Sequence, residues 1–375
     1  MSVELAQRLE RYKAIEKYRG RPLIVYATST RPNVQAMLAA DAVREFIDQM
    51  AEIEKENKSV DVLIHSSGGD ALAAWKLMSI LRERFQHVAV LVPFMAFSAA
   101  TILAMGADEI VMHPYASLGP IDPQVALNLP DGNKRWFAFE DVGAFLRFLK
   151  ESVGLTEQVH TSAVIDKLFS VVDPLTVGGA QRASELATDV GERLLEMHMT
   201  GVHEAGKARE IAKGLNKNFF AHGDAVSRSR ARELQLKVAD NNPELENLIW
   251  QAYLGIEQYM ELRSPFNLQH HFLSSGGATA VAPVPALTLP PNTPQQYAIN
   301  AWNLAIQNAI QAAAGNAIEV DYSIVNGLVE SPRVASEFRT IGKVSGARVT
   351  STQLQLSSID TQADWRQVHK VSTGK

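Results

Sequence analysis

Residues 61–77 read DVLIHSSGGDALAAWKL, in which an apolar run is followed by two serines, two glycines and a helical pattern. An apolar run without polar alternation is typical of a strand that is covered on both faces. Glycine adds no side chain to the core and costs backbone entropy, so the pair Gly68–Gly69 needs a reason. Two reasons stay open: a tight strand-to-helix turn, or bare amide N–H groups that face a ligand or a developing negative charge.

The same kind of apolar run recurs, at residues 22–27, 88–93 and 109–113. Helical patterns separate these runs, at residues 34–57, 70–85 and 98–107. Strands that alternate with helices predict right-handed βαβ crossovers and a parallel sheet. The predicted fold class is therefore α/β. Further helical patterns follow, at residues 141–152, 178–214, 227–235 and 243–263.

The chain has 375 residues, a net charge of −5 and no cysteine. A slightly acidic chain gives no support for nucleic-acid binding, which usually requires a basic excess. The lack of cysteine excludes disulfides, a cysteine nucleophile and a thiolate zinc site. The pair His270–His271 has no third ligand at a suitable spacing, so we expect neither a metal nor another cofactor.

The N-terminal residues 1–20 are charged and helical in period, without the apolar segment of a signal peptide. No uncharged apolar run reaches the roughly 18 residues that a membrane-spanning helix needs. We therefore expect a soluble protein in the cytoplasm.

The composition changes after Arg263, where residues 274–294 are rich in Pro, Gly, Ala and Ser and have the character of a linker. The polar tail beyond it shows only patches of strand-like alternation. The sequence therefore predicts five segments: an N-terminal helix at 1–20, a core at 21–240, a helical extension at 241–263, a linker at 264–295 and an irregular C-terminal arm at 296–375.

Ser98 begins the third helical pattern, in the turn that follows the strand predicted at 88–93. Serine is a favoured helix N-cap, and this role alone would explain it. The small neighbours Ala99 and Ala100 also allow a sharp turn that exposes the hydroxyl, as in a nucleophile elbow. In a parallel sheet the carboxyl ends of the strands meet at one edge. If the amides of Gly68, Gly69 and Ala99 converge there, they form an oxyanion hole for attack by Ser98.

The segments IHSSGGDALAAWKL and VLVPFMAFSAATILAMGADEIVMHPYASLGPIDPQ resemble the serine dehydrogenase proteinase family. That family belongs to the ClpP/crotonase superfamily and is similar to signal peptide peptidase A. The resemblance covers about residues 20–240, and LGPIDPQ is its most specific string. It implies a ClpP/crotonase-like core, a serine endopeptidase with Ser98 as nucleophile, and an oxyanion hole from Gly68, Gly69 and Ala99. Ala100 departs from the glycine more often found there, and its methyl group either narrows the pocket or lies harmlessly on the helix.

The general base is open between two alternatives. In peptidases similar to signal peptide peptidase A the base is a lysine, and Lys167 matches it in the stretch SAVIDKLFSVVDPLTVGG. We expect an apolar setting for this lysine, because desolvation makes an amine a better base near neutral pH. The competing hypothesis is a Ser/His/Asp triad, with His222 and Asp224 as the main candidates. His113 and His160 are further candidates, and AHGDAV is equally readable as a turn with Asp224 as a helix N-cap.

Two other functions remain open on the same fold. One is acyl-CoA chemistry of the crotonase type, which does not need a serine at the helix start. The other is an oligomeric scaffold whose site has decayed. We expect a peptide or unfolded-protein substrate and a homo-oligomer, since the superfamily forms rings or stacked trimers. The helical patterns at 178–214 and 243–263 also carry more apolar residues than one face against the sheet would bury, which indicates subunit contacts. These residues are Leu194, Leu195, Met197, Met199, Leu248, Ile249, Tyr253 and Leu254.

Overall fold

The computed structural model describes residues 2–34, 36–128, 133–201, 204, 206–217, 224–275, 281, 287–313, 317–348 and 354–371. The helices in these ranges are α1 Val3–Arg19, α2 Ala42–Ala51, α3 Ala71–Arg84, α4 Ala99–Met105, α5 Phe139–Arg147, α6 Gln158–Phe169, α7 Pro174–Glu196, α8 Lys207–Lys217, α9 Arg228–Glu233, α10 Pro243–Tyr259, α11 Leu268–Ser274 and α12 Gln295–Ala313, with a π-helical turn at Phe148–Ser152. The strands are β1 Leu23–Thr28, β2 Ser59–His65, β3 His87–Val92, β4 Met95–Ala96, β5 Glu109–Met112, β6 Ser117–Leu118, β7 Gln124–Asn128, β8 Lys134–Ala138, β9 Val226–Ser227, β10 Ala317–Glu330, β11 Val334–Arg348 and β12 Leu354–Lys370.

The main sheet has the order β12-β11-β10-β1-β2-β3-β5 in the described part of the chain. Strands β1, β2, β3 and β5 are parallel and follow one another in chain order. Right-handed crossovers that all step in one direction put their helices on one face. Helices α2, α3 and α4 accordingly share that face with α7 and α8. The predicted α/β fold with a parallel sheet is confirmed.

Alternate side chains of each parallel strand enter opposite layers. Tyr26 and Ile64 pack among the crossover helices, whereas Val25 and Leu63 pack against α1 and α10. Both faces are therefore covered, which explains why the strands are apolar without alternation. Two smaller sheets complete the described strands: β4-β6-β9, and the β7–β8 hairpin.

The eight apolar residues that had suggested subunit contacts pack within one subunit. Leu194, Leu195, Ile249 and Tyr253 are buried, and the other four pack against the same two cores. The inference of subunit contacts from these eight residues was therefore wrong, because α7 and α10 cover opposite faces of one sheet and pack them into the two cores of one subunit.

The C-terminal part is more regular than the irregular arm we expected. Strand β10 pairs antiparallel with β1, and β11 and β12 extend the sheet beyond it. The helical pattern at 178–214 is divided into α7 and α8. No helix among the described residues has the length and apolar character needed to cross a membrane.

A buried ion pair joins the two ends of the fold. The Arg8 guanidinium donates to both carboxylate oxygens of Glu330, at 2.6 and 3.0 Å, and the Tyr12 hydroxyl donates to the same carboxylate at 2.8 Å. Arg8 and Glu330 are fully buried. Removal of one member of a buried pair leaves an uncompensated charge, which typically costs about 3–5 kcal/mol.

His65 ends β2 on the side of α10, where its ring lies 5.0 Å from that of Tyr253 and 6.2 Å from that of Phe94. One ring nitrogen, Nε2, lies 3.0 Å from Thr30 Oγ1. Burial lowers the pKa of His65 to about 4, so the folded protein keeps this imidazole neutral.

We expect the free energy of unfolding to fall as the pH drops from about 6.5 to about 4, because the unfolded chain then protonates His65 and the folded chain does not. The loss attributable to this group is about 3 kcal/mol at pH 4. Urea unfolding of wild type and His65→Gln across this range measures it, and the variant should show a shallower dependence. His160→Gln is the control, since His160 is exposed. Equal pH slopes in wild type and His65→Gln would contradict the assignment.

Candidate active site

Two turns at the carboxyl end of the parallel sheet are joined by backbone hydrogen bonds. The Ser66 N–H donates to the Met95 carbonyl at 3.1 Å, and the Phe97 N–H donates to the Ser66 carbonyl at 3.0 Å. The glycine turn after β2 is thereby held beside the turn that starts α4. The two motifs singled out in the sequence, SSGGD and FSAAT, meet at this point.

Both glycines adopt backbone conformations that side chains disfavour, with φ of +111° at Gly68 and +151° at Gly69. A Cβ at Gly68 would lie 2.6 Å from the Ser98 Cβ and 2.8 Å from the Phe97 carbonyl oxygen. A Cβ at Gly69 would lie 2.2 Å from the Leu38 carbonyl oxygen. The pair therefore forms a tight turn in which bare backbone packs against Leu38, Phe97 and Ser98.

The segment around Leu38 is a part of the site that the sequence pattern missed. The Leu38 N–H donates to the Gly68 carbonyl at 2.7 Å, and the Leu38 carbonyl accepts from the Asp70 N–H at 2.9 Å. These bonds hold the chain in extended form, so the helix predicted at 34–57 begins only at Ala42. The adjacent Met37 is exposed and lines the cleft described below.

Ser98 occupies the N-cap position of α4, but its side chain makes no capping hydrogen bond. Its φ is +50°, a conformation that serine rarely adopts and that stores strain. The residue is half-buried and reaches the same cleft as Gly68 and Gly69. The capping role alone therefore does not account for Ser98.

The beginning of α4 is fixed by a threonine that the sequence analysis did not single out. The Thr101 hydroxyl donates to the Ala96 carbonyl at 2.7 Å and accepts from the Gly119 N–H at 3.0 Å. Thr101 thus joins α4 to the LGPIDPQ segment. Ala100 is fully buried in the core beside it and does not line the cleft, so its methyl group does not narrow the site.

The amide of Gly68 is already engaged, since its N–H donates to Ser66 Oγ at 3.1 Å. Ser66 Oγ also accepts from the Thr28 hydroxyl at 2.7 Å, which fixes the glycine turn to the end of β1. The amides of Gly69 and Ala99 donate to no acceptor in the described part of the chain. Both residues line the cleft at Ser98.

Ser98 opens into a cleft of about 370 Å³. The walls are largely apolar and come from several elements: Met37, Ala71, Ile102, Ile121, Pro123, Trp136, Ala183, Leu186 and Ala187. Trp136 belongs to the β7–β8 hairpin, and the last three residues belong to α7. Among the described lining residues, Asp70 is the one that carries an ionisable side chain, and its carboxylate accepts from the Leu72 N–H at 2.8 Å as the cap of α3.

The residues expected to act as general base either do not line the cleft or lie outside the described residues. Lys167 is exposed on α6, a helix without buried side chains, so the apolar setting expected for it was wrong. His222 lies outside the described residues, and Asp224 is exposed. Asp224 is not the N-cap of α9, because Ser227 accepts the capping bond from the Arg230 N–H.

The two other histidines named above are also away from the cleft. His113 stacks on Trp250, with ring centroids 4.8 Å apart, and burial lowers its pKa. His160 is exposed beside Glu157.

Comparison with protein families identifies the part of the chain that carries these turns. Residues 37–133 match the family of ClpP-like SDH-type serine proteinases. The matched segment contains Gly68, Gly69, Ser98 and Ala99. The resemblance predicted from the motifs is thus confirmed for this part of the chain.

Two proteins of Methanocaldococcus jannaschii are similar over a longer stretch. Uncharacterized protein MJ1495 is 26% identical over 250 residues, which cover 65% of this chain and 75% of that protein. Uncharacterized protein MJ0137 is 26% identical over 198 residues, which cover 53% of this chain and 59% of that protein.

Among solved structures, the 1510-N membrane-bound stomatin-specific protease matches with a TM-score of 0.36 and 14% identity, covering 61% of this chain and 84% of its own. ClpP1 from Listeria monocytogenes matches with a TM-score of 0.33 and 13% identity, covering 62% of this chain and 97% of its own. At this level of similarity, the superpositions say nothing about individual residues.

We expect Gly68→Ala to lower the free energy of unfolding by about 2 kcal/mol or more, because the new methyl group meets Ser98 and the backbone stays at positive φ. Gly178→Ala is the matched control. Gly178 lies on α7 with open space around it, so alanine there should be neutral or stabilising by up to about 1 kcal/mol. Chemical denaturation measures both, and similar effects in the two variants would contradict the close approach.

Proposed function

We propose that this protein is a serine endopeptidase in which the Ser98 hydroxyl attacks the carbonyl carbon of a peptide bond. Attack forms a tetrahedral intermediate, whose collapse expels the amine and leaves an acyl-enzyme on Ser98 that water then hydrolyses. The observation that carries the proposal is the state of Ser98. Its hydroxyl is not used as a helix cap, its backbone is strained, and it lines an open cleft with Gly69 and Ala99, whose amides donate to no acceptor among the described residues.

The oxyanion of this intermediate is proposed to lie at the amides of Gly69 and Ala99. Backbone N–H groups fixed before the reaction stabilise such a charge without reorganisation. Gly68 acts differently, since its amide is engaged with Ser66 and its lack of a side chain lets the turn approach Ser98. The hydrogen bonds that Ser66 Oγ accepts from the Thr28 hydroxyl and the Gly68 N–H keep the turn in place.

The cleft walls favour an extended peptide or unfolded segment with apolar side chains near the cleaved bond. Met37, Trp136 and Leu186 offer exposed apolar surface around Ser98. Burial of one such side chain contributes about 1.5–3 kcal/mol to binding. No described cation lines the cleft that would select an acidic residue.

The general base is proposed to be Lys167 or, alternatively, His222 with Asp224. We further propose a homo-oligomer with the active site near a subunit boundary. Helix α6 supports this arrangement, since Val159 and Phe169 are exposed on the helix that carries Lys167. A second subunit that covers α6 would desolvate Lys167, which a single subunit leaves in solvent.

We expect Ser98→Ala to lower peptidase activity by several orders of magnitude while leaving the fold intact, because the attacking oxygen is lost. Ser67→Ala is the control, since Ser67 lines the same cleft and should keep nearly full activity. Casein or peptide hydrolysis measures the rate, and a fluorophosphonate probe measures the nucleophile directly. Wild type and Ser67→Ala should be labelled, and Ser98→Ala should not.

The probe also separates the alternatives. A protein that is not labelled but converts acyl-CoA substrates would be a crotonase-type enzyme, and one with neither property would be a decayed scaffold. Undiminished hydrolysis by Ser98→Ala would remove Ser98 from the mechanism.

If Lys167 is the base, activity should rise as the pH is raised, because only the neutral amine accepts a proton. Lys167→Arg should then be as inactive as Lys167→Ala, since a guanidinium stays charged. Lys150→Ala, a nearby exposed lysine, should remain active. Active Lys167→Ala together with inactive His222→Ala would assign the role to histidine.

A further inference from the structure

Strand β12 is the last strand of the main sheet in the described part of the chain. It is 17 residues long and pairs with β11 on one side, whereas its other side pairs with no described residue. Most of its side chains are exposed. A long edge strand with unpaired N–H and C=O groups is a template for a further strand, unless the protein covers it.

The side chains of β12 are held in a fixed orientation by Trp365. Its indole Nε1–H donates to Asp41 Oδ2 at 2.9 Å, and its ring centroid lies 5.6 Å from that of Phe338. Trp365 therefore faces the side of α2. Because neighbours along a strand point to opposite faces, Asp364 and Arg366 both lie on the other face. Within one subunit they pair with each other, at 2.9 Å from Arg366 Nε to Asp364 Oδ1.

The charges of β12 are complementary to those of a second, antiparallel β12. A two-fold axis at Trp365 puts Asp364 of one copy opposite Arg366 of the other, and Arg366 opposite Asp364. Directly opposite residues have Cβ atoms about 4.5–5.5 Å apart, within ion-pair distance. The stretch from Gln362 to Gln367 pairs with β11 without a register shift, so the match at Asp364 and Arg366 lies in regular strand.

The axes at the two adjacent residues lose this match. An axis at residue 364 puts Asp364 opposite itself, and an axis at residue 366 does the same with Arg366. Like charges directly opposite each other destabilise a strand pair. Of the axes at 364, 365 and 366, the axis at 365 is therefore the one that sets Asp364 opposite Arg366 and avoids a like-charge pair.

We propose that two copies of this chain associate through β12, paired antiparallel about a two-fold axis at Trp365, so that their main sheets form one continuous sheet. This proposal rests on the homo-oligomer proposed above and does not depend on the proposed peptidase reaction at Ser98. The partner is a second copy, because Asp364 and Arg366 complement the same two residues of another β12 by this symmetry.

Charge reversal tests the pairing. Asp364→Arg alone puts arginines opposite arginines, and Arg366→Asp alone puts aspartates opposite aspartates. We expect each to weaken association at least 10-fold, seen by light scattering after gel filtration as a shift of mass toward the 41.1 kDa of one chain. The double variant Asp364→Arg/Arg366→Asp restores opposite charges and should restore the mass of the wild type. Lys13→Glu, an exposed reversal on α1, is the control and should leave the mass unchanged.

Circular dichroism and thermal unfolding check that each variant is folded. Loss of association in the single variants and its recovery in the double variant would establish the pairing. An oligomeric wild type whose mass is unchanged by the single reversals, or a double variant that fails to recover, would overturn the β12 interface while leaving assembly by another surface. A wild type of 41.1 kDa at micromolar concentration would overturn both assembly and interface, and Ser98 labelling would still report on the chemistry.

Discussion

The approach of the glycine turn to the start of α4 is the constraint on which the site depends. At Gly68 there is no space for a side chain, because the Ser98 Cβ and the Phe97 carbonyl occupy it. The turn can reach this position because β2 and β3 are neighbours whose carboxyl ends meet at one edge. Hydrogen bonds from Thr28 and Thr101 then hold the two turns from either side.

The same topology explains where the cleft opens. The crossover helices lie on one face of the sheet, and α4 starts at the carboxyl edge of that face. Helix α7 and the β7–β8 hairpin cover the space above this edge and supply apolar walls. The opposite face is filled by α1 and α10, with a buried His65 among aromatic rings. A nucleophile at Ser98 is therefore accessible from one side of the sheet.

Local sequence predicted the parallel strands to within about two residues, since strands buried on both faces leave continuous apolar runs. It also predicted that the Gly68–Gly69 and Ser98 turns meet. The local sequence did not predict the features that depend on residues far away in the chain. Leu38 sits in a helical pattern but is drawn into extended pairing by Gly68 and Asp70. The patches of strand-like alternation in the C-terminal tail did not reveal that β10 to β12 extend the main sheet, because that arrangement depends on pairing with each other and with β1. The solvent exposure of Lys167 depends on which elements pack against α6, and the sequence of α6 does not specify them.

The pairing of Arg8 with Glu330 has a consequence for biosynthesis. The carboxylate is made 322 residues after the guanidinium, so at a typical rate of translation α1 waits about half a minute for its partner. During that time β1 lacks its neighbour β10, and one side of the nascent sheet is open. A chain that stops before β10 lacks the carboxylate that pairs with Arg8 as well as the strand that pairs with β1. Interrupted translation products are therefore expected to be unstable, and unstable chains are substrates of cellular chaperones and proteases.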